Sequence, residues 1–255
     1  MIRRALAAVL LATPAHAATC YYNGQTSYHG QVTATVADTE TPAGLVIDVH
    51  LRLDATPWHI WPVQFLIQER STYRNGTLYA VEVNGRWSSN GSINRQYWDV
   101  LTPTPAGFEA YRIQVKRQSD LQRRNPPLAR YWDPATFDQP WLSIFTIATP
   151  DRRPDLDLPT AQIPPNLKSP LALAFYWSRQ RLGPTVPIFL PGWKRDARLT
   201  GTLTHTGLTT RLTLPHPALE PGSYIEATQN PHTLRLAAQT TAGDGEATLT
   251  QTTCN

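Results

Sequence analysis

The stretch LVIDVHLRLD, residues 45–54, decides the fold class. Apolar residues stand at every odd position from 45 to 53, and polar or charged residues stand at the even positions from Asp48 onward. Successive side chains of a β-strand point to opposite faces, so this period of two gives one strand an apolar face and a polar face. It predicts a half-buried strand of an antiparallel sheet, with its leucines, Ile47 and Val49 facing the core.

Similar strand patterns flank this stretch on both sides. We predict strands at 31–36, 63–69, 77–83, 108–116, 198–204, 208–214, 233–240 and 246–252. Turns are predicted at Asn75-Gly76 and Asn90-Gly91, and Asn84-Gly85 is a third pair typical of two-residue hairpin turns. With about ten strands, the expected fold is mainly β: an antiparallel barrel or sandwich built from hairpins.

The pattern is interrupted between residues 120 and 193, where much of the chain is rich in proline. The whole chain has 23 prolines and only 16% charged residues, which excludes a helical bundle or coiled coil. One helix is predicted within the interruption, over residues 169–182, because Ser169 is a good N-cap, Pro170 suits the first turn and Gly183 follows the last turn. Its apolar interior predicts burial. We interpret 120–193 as a long crossover, or lid, that carries this buried helix.

The first 17 residues have the features of a secretory signal peptide. A basic start is followed by an apolar run and by Ala15-His16-Ala17, the A-x-A pattern of a cleavage site. Cleavage after Ala17 leaves one β-rich domain, residues 18–255, with 21 basic and 19 acidic residues and a net charge of +2. That charge does not indicate a nucleic-acid partner, and no later apolar run has the ~18 residues of a membrane helix. The expected location is periplasmic or secreted, in a bacterium because Arg far outnumbers Lys; the oligomeric state is left open.

Cys20 and Cys254 are the only two cysteines. In an oxidising compartment an isolated pair predicts one disulfide, which would make the first and last strands neighbours. The alternative is two free thiols with Cys20 lipidated, although the residues before Cys20 lack the leucine of a lipidation motif.

Motifs for nucleophilic catalysis, nucleotide binding and zinc binding are absent, so no catalytic residue, cofactor or metal ligand is predicted. The polar face of 45–54 is typical of a solvated strand. An alternative is a secreted carbohydrate-active enzyme with two working carboxylates. Its candidate acids are Asp48, Glu69, Asp99, Glu109 and Asp133.

The candidate ligand-binding residues are aromatic side chains between strands and arginine pairs in the crossover. They are Trp58, Trp61, Trp132, Trp141, Arg123, Arg124, Arg152 and Arg153. Aromatic rings can line an apolar pocket, and arginines can contact an anionic head group; the alternatives are core packing and solvated loops. We expect an exported, non-enzymatic protein that binds an apolar, amphipathic or anionic lipid-like ligand, or has a structural envelope role. A carbohydrate-binding protein or enzyme is the alternative. If a ligand binds, the site is expected at the end of the β-structure covered by the crossover.

Overall fold

The computed structural model describes residues 17–57, 60–104, 107–115, 154–158, 164–189, 198–213, 223–229, 232–240 and 243–255. These ranges contain fourteen β-strands, one short α-helix and one turn of 3-10 helix. The strands are β1 (Ala17–Thr26), β2 (Gly30–Thr41), β3 (Gly44–Ala55), β4 (Val63–Arg74), β5 (Thr77–Ser89), β6 (Ser92–Thr104), β7 (Gly107–Val115), β8 (Pro154–Leu158), β9 (Thr185–Phe189), β10 (Arg198–Thr206), β11 (Thr209–Thr213), β12 (Tyr224–Thr228), β13 (Thr233–Thr240) and β14 (Gly243–Cys254). The helix α1 is Pro170–Phe175, and the 3-10 turn is Trp177–Arg179.

All fourteen strands belong to one antiparallel sheet, so the prediction of a mainly β, antiparallel fold is confirmed. The order is β8-β7-β6-β5-β4-β3-β2-β1-β14-β13-β12-β11-β10-β9, in which consecutive strands of the chain lie side by side except β8 and β9, which form the two edges, and the only neighbours that are not consecutive are β1 and β14. Those two terminal strands pair near the centre of the sheet, with Cys20 opposite Cys254. The two cysteines form the predicted disulfide, and their Cα atoms are 4.1 Å apart.

The sheet has more strands than the sequence predicted, and one turn prediction was wrong. Asn84-Gly85 lies inside β5, where Asn84 pairs with Gln68 on one side and Trp98 on the other. The turn occurs at Asn90-Gly91 instead, where both residues have the positive φ that such a turn requires (49° and 73°). The unpredicted strands β8 and β9 contain Pro154 and Pro187, and both are edge strands, the position in a sheet that tolerates proline.

The sheet curls around α1. The helix contacts both β3 and β12, which are separated by four intervening strands and hence by about 24 Å along a flat sheet. A helix about 10 Å across reaches both only if the sheet is strongly curved. The face that α1 covers is called the inner face; Val32, Ile47 and Val49 lie on it and are buried.

A short segment, residues 166–169, forms backbone hydrogen bonds with two distant strands of the curled sheet, β5 and β9. The Leu78 N–H of β5 donates to the Leu167 carbonyl (2.8 Å). Lys168 pairs with β9: its N–H donates to the Pro187 carbonyl (3.0 Å), and its carbonyl accepts from the Phe189 N–H (2.9 Å). Since β5 and β9 are ten positions apart in the sheet, this segment bridges what would be about 48 Å of flat sheet. We call residues 166–169 the clasp. Within the described residues, β8 and β9 do not pair, so the sheet itself is not closed.

The helix that follows the clasp begins where the sequence predicts and ends earlier. Ser169 is the N-cap, and its hydroxyl accepts from the Ala172 N–H (3.2 Å), with Pro170 in the first turn. The α-helical conformation stops at Tyr176 and the chain continues as the 3-10 turn, so the predicted span to residue 182 is too long. Four of the six α1 residues are buried, Ala172 to Phe175.

Candidate functional site

A cleft of about 420 Å³ lies at the rim of the sheet, where the β1–β2 turn, the β3–β4 loop and the β5–β6 turn meet. Two backbone hydrogen bonds fix its walls: the Thr56 N–H donates to the Tyr28 carbonyl (3.2 Å), and the Asn90 N–H donates to the Pro62 carbonyl (3.0 Å). At Gly30 a Cβ atom would lie 2.1 Å from the Asp54 carbonyl oxygen, so only glycine lets the turn approach β3 this closely. We call this space the rim cleft.

The rim cleft is lined mainly by uncharged hydrogen-bonding groups. Gln31, Asp54, Gln64 and Ser88 are register partners on the four strands β2 to β5, and all four line the cleft. The Asp54 carboxylate accepts from Arg52 Nε (2.6 Å) and from Gln64 Nε2 (2.8 Å). These two bonds hold the carboxylate in place, and the guanidinium compensates its charge.

Asp54, Gln64 and Ser88 point to the outer face of the sheet, whereas Ala55, Val63 and Ser89 line the cleft on the inner face. An apolar strip begins two residues further along the strands from this inner-face set. Leu53, Phe65 and Trp87 are register partners on β3, β4 and β5, on the inner face. The Phe65 and Trp87 rings stack, with centroids 6.1 Å apart and planes 12° apart, yet they are 43% and 37% exposed. We call the two stacked rings, together with Leu53 beside them, the aromatic row. Trp61, in the β3–β4 loop, is 59% exposed.

Further along β4, the inner-face residues are polar, and α1 covers them. Glu69, Ser71 and Tyr73 continue β4 beyond Phe65, and all three are buried. Ser169 donates from its hydroxyl to Glu69, receives a hydrogen bond from the Tyr73 hydroxyl (3.3 Å) and donates its N–H to that same hydroxyl (3.0 Å). We call this group the helix seat.

Burial changes the titration of the helix seat. Loss of hydration raises the pKa of Glu69 to about 7, although hydrogen bonds from Ser169, the Ala172 N–H and Ser71 favour its ionised form. Burial also raises the pKa of Tyr73. Lys168 donates to the Gly76 carbonyl and lies 3.9 Å from the Trp177 ring centroid, and burial lowers its pKa to about 8. The buried polar groups therefore bind α1 and the clasp to β4 and β5.

A second polar group holds the end of the helical segment. Arg179 donates to the Tyr22 hydroxyl and to Gln251 Oε1 (3.1 Å), and its carbonyl accepts from Gln229 (3.0 Å). Ser178 Oγ lies 3.4 Å from His232 Nε2. Burial, with a smaller contribution from the positive charge of Arg179, lowers the pKa of His232 to about 4.

The structure places only one of the eight predicted ligand-binding residues. Trp61 is exposed in the β3–β4 loop, whose residues 62 and 56 line the rim cleft. The other seven lie outside the described residues and stay predictions: Trp58, Trp132, Trp141, Arg123, Arg124, Arg152 and Arg153. The described parts of the crossover, residues 154–158 and 164–189, contain β8, the clasp, α1 and β9, and Ser169 forms the helix seat with β4.

Four of the five candidate acids of the enzymatic alternative lie on four different strands, β3, β4, β6 and β7, and Glu109 of β7 is the register partner of Thr102. Asp48 is on the opposite face of the sheet from Glu69 and forms a two-pronged ion pair with Arg70 (2.7 and 2.8 Å). Glu69 is enclosed under α1, Asp99 is a register partner of Val83 two strands away from Glu69, and Asp133 lies outside the described residues. Among the described residues no group of three or more His, Cys, Asp or Glu side chains could hold a metal ion.

The rim cleft and the aromatic row were not predicted from the sequence. Phe65 and Trp87 look like ordinary strand residues, and only the register of β4 against β5 shows that they stack. One signal was present in β4: its inward positions change from apolar at 65 and 67 to polar at 69 and 71.

Comparisons of the chain with protein-family models, curated proteins and solved structures find no match. In the described part of the chain, no helix is long and apolar enough to cross a membrane.

Proposed function

We propose that the protein binds a small amphipathic molecule across the rim of its sheet. The observation that carries this proposal is the junction between the rim cleft and the aromatic row: Val63 and Ser89 line the cleft as an inner-face pair, and Phe65 and Trp87 are the next pair of β4 and β5 on that same face. A polar cavity beside exposed apolar side chains matches a molecule with one polar end and one apolar end. Its volume, about 420 Å³, is in the usual range of about 300–1,000 Å³ for small-molecule pockets.

Exposure of the aromatic row supports a binding role. Phe65 and Trp87 remain 43% and 37% exposed, although they lie on the face that carries the core. Covering apolar surface stabilises by about 25 cal/mol per Å², so a ligand tail lying on these rings gains free energy that the free protein lacks. Neighbouring exposed apolar side chains are typical of binding surfaces.

Binding without turnover is the form of this proposal that the cleft chemistry favours. Of the described residues that line the cleft, Asp54 alone is acidic, and it is paired with Arg52. Glycoside hydrolysis ordinarily needs two carboxylates facing a common space.

We further propose that the protein is exported and acts in the periplasm or outside the cell. The predicted signal peptide and the Cys20–Cys254 disulfide support this. Edman sequencing of the protein from the exporting cell should begin at Ala18; a chain that retains residues 1–17 contradicts the export proposal.

Calorimetric titration tests the binding proposal. The probes are three amphiphiles with the same dodecyl tail, namely dodecyl maltoside, dodecylphosphocholine and dodecanoate, each below its critical micelle concentration. At least one should bind with saturation at one site, and Phe65→Ala should weaken it about tenfold, since about 1.4 kcal/mol of tail contact is lost. The matched control is Tyr21→Ala: Tyr21 is 42% exposed and pairs with Thr35, on the outer face.

Three outcomes would overturn the binding proposal. The first is no saturable binding of any of the three amphiphiles. The second is equal weakening by Phe65→Ala and Tyr21→Ala. In the third, maltose alone binds as tightly as dodecyl maltoside, which would favour the carbohydrate-binding alternative, because stacked aromatic rings beside a polar cleft also suit a sugar ring.

A further inference from the structure

The chemistry of the rim cleft indicates which class of polar head group the ligand carries. This inference rests on the proposed function. Besides Asp54 and the imidazole of His29, the cleft presents the amides of Gln31 and Gln64 and the hydroxyls of Thr56, Ser88 and Ser89. Each amide offers donors and an acceptor, and each hydroxyl serves as both. Such a lining matches groups that also donate and accept, above all hydroxyl groups.

The charge of the cleft disfavours a charged head group. No lysine or arginine is among its described lining residues, so inside the cleft an anionic head would meet the Asp54 carboxylate with no permanently charged cation to offset it, His29 being the one basic side chain in the described lining. A cationic head would compete with Arg52, which already donates to Asp54 at 2.6 Å. A neutral head avoids both costs, and the fixed Asp54 carboxylate can accept from a hydroxyl while the neighbouring amide groups bind the next one.

We propose that the rim cleft binds the uncharged polyhydroxyl head of a sugar-headed amphiphile, whose tail lies on the aromatic row. The observed juxtaposition fixes the polarity of binding. The head lies over the rim, between the β1–β2 and β5–β6 turns, where Asp54 and Gln64 face outward and Val63 and Ser89 face inward. The tail continues along the inner face from Val63 past Phe65 and Trp87 toward Ile67, the next inward residue of β4.

The three dodecyl amphiphiles separate this inference from the proposed function, because they differ only in the head group. Dodecyl maltoside should bind at least tenfold more tightly than dodecanoate or dodecylphosphocholine. Gln31→Ala and Asp54→Asn should each weaken dodecyl maltoside by five- to tenfold and should weaken neither of the other two. Asp54→Asn should tighten dodecanoate, because it removes the carboxylate that an anionic head meets.

Asp48→Asn is the matched control. Asp48 lies on the same face of the same strand as Asp54 and is also paired with an arginine, but it does not line the cleft. It should leave all affinities unchanged. Gln31 is exposed, so Gln31→Ala keeps the test valid if Asp54→Asn lowers the melting temperature.

The outcomes are distinct. If the three amphiphiles bind equally and Phe65→Ala weakens all of them, the proposed function stands and the sugar-head inference is wrong. Tightest binding of dodecanoate would likewise overturn the inference in favour of an anionic head. Absence of binding by all three overturns both proposals. If Asp48→Asn and Asp54→Asn weaken the binding of dodecyl maltoside equally, the effect is due to surface charge, and the assignment of the head group to the rim cleft is wrong.

Discussion

The inner face of β4 has two parts with opposite and unexpected polarity. The part under α1 carries polar side chains, Glu69, Ser71 and Tyr73, and buries them. The part near the rim carries Phe65 and leaves it 43% exposed. Proteins usually bury the apolar residues and expose the polar ones, so both parts need a reason.

The reason differs between the two parts. In the helix seat each polar side chain meets another, and Ser169 alone connects Glu69, Tyr73 and the first turn of α1. Satisfied buried networks fix one arrangement of the elements they join, since any shift leaves a buried group unpaired. In the aromatic row the Phe65 and Trp87 rings stack on each other and stay partly exposed. The first part is therefore enclosed within the chain, whereas the second leaves apolar surface that, under the proposed function, a ligand covers.

Of the substitutions that compare the two parts, one in α1 should have the largest effect, a loss of stability. Phe175 of α1 is fully buried and packs edge-to-face on Tyr22, with ring centroids 5.3 Å apart. Phe175→Ala should lower the free energy of unfolding by about 3–5 kcal/mol, through lost burial and the cavity it leaves. Urea unfolding followed by circular dichroism measures it, with Phe175→Leu as a milder control. A loss below about 1 kcal/mol would mean that α1 is not part of the core.

The pH dependence of stability should report on the helix seat. Burial raises the pKa of Glu69 from 4.5 to about 7 in the folded protein, a difference worth about 3 kcal/mol. Its contribution to stability is fully present below pH 4.5 and is lost as the pH rises through about 7, because over that interval the carboxyl ionises in the unfolded chain while burial keeps it protonated in the folded protein. Glu69→Gln should remove this decline. Unfolding free energies measured between pH 4 and pH 9 test it, and parallel profiles for both proteins would show that Glu69 is not enclosed.

The sequence predicted the elements whose signals are local. The alternation of residues 45–53 identified β3 and its inward face, because a strand's period of two is independent of its partners. Ser169 and Pro170 identified the start of α1, since capping depends on the first turn alone. The two cysteines indicated that the chain ends meet, because a disulfide requires it.

Features that depend on distant pairing could not be predicted. The clasp joins β5 to β9 through backbone groups of Leu167 and Lys168, and backbone hydrogen bonds carry no sequence signature. The rim cleft needs three separate turns to meet, which only the register of β1 to β6 determines. Asn84-Gly85 shows the reverse: a strong local turn signal is overridden because β4 and β6 pair on both sides of it.

His232, beside Ser178 in the second polar group at the end of the helical segment, should show a smaller pH effect of opposite sign. Burial lowers its pKa from 6.5 to about 4 in the folded protein. A lowered pKa contributes stability that is present above pH 6.5 and is lost as the pH falls through about 4, since the unfolded chain takes up the proton first. The stability difference between the wild type and His232→Asn should therefore shrink over that interval. A constant difference would place His232 in solvent.

Phe65→Ala should have the smallest effect on the free protein and a clear effect on the complex. Phe65 is half exposed and lies four residues before Glu69 in β4, so its loss should change the free energy of unfolding by less than about 1 kcal/mol.

A ligand present at one hundred times its Kd stabilises the folded state by about 2.7 kcal/mol. If Phe65→Ala weakens binding tenfold, the same ligand concentration stabilises the variant by only about 1.4 kcal/mol. Thermal unfolding with and without dodecyl maltoside measures both quantities on one sample. Destabilisation of the free variant by 3 kcal/mol or more would mean that Phe65 belongs to the core, and the contrast between the helix seat and the aromatic row would then disappear.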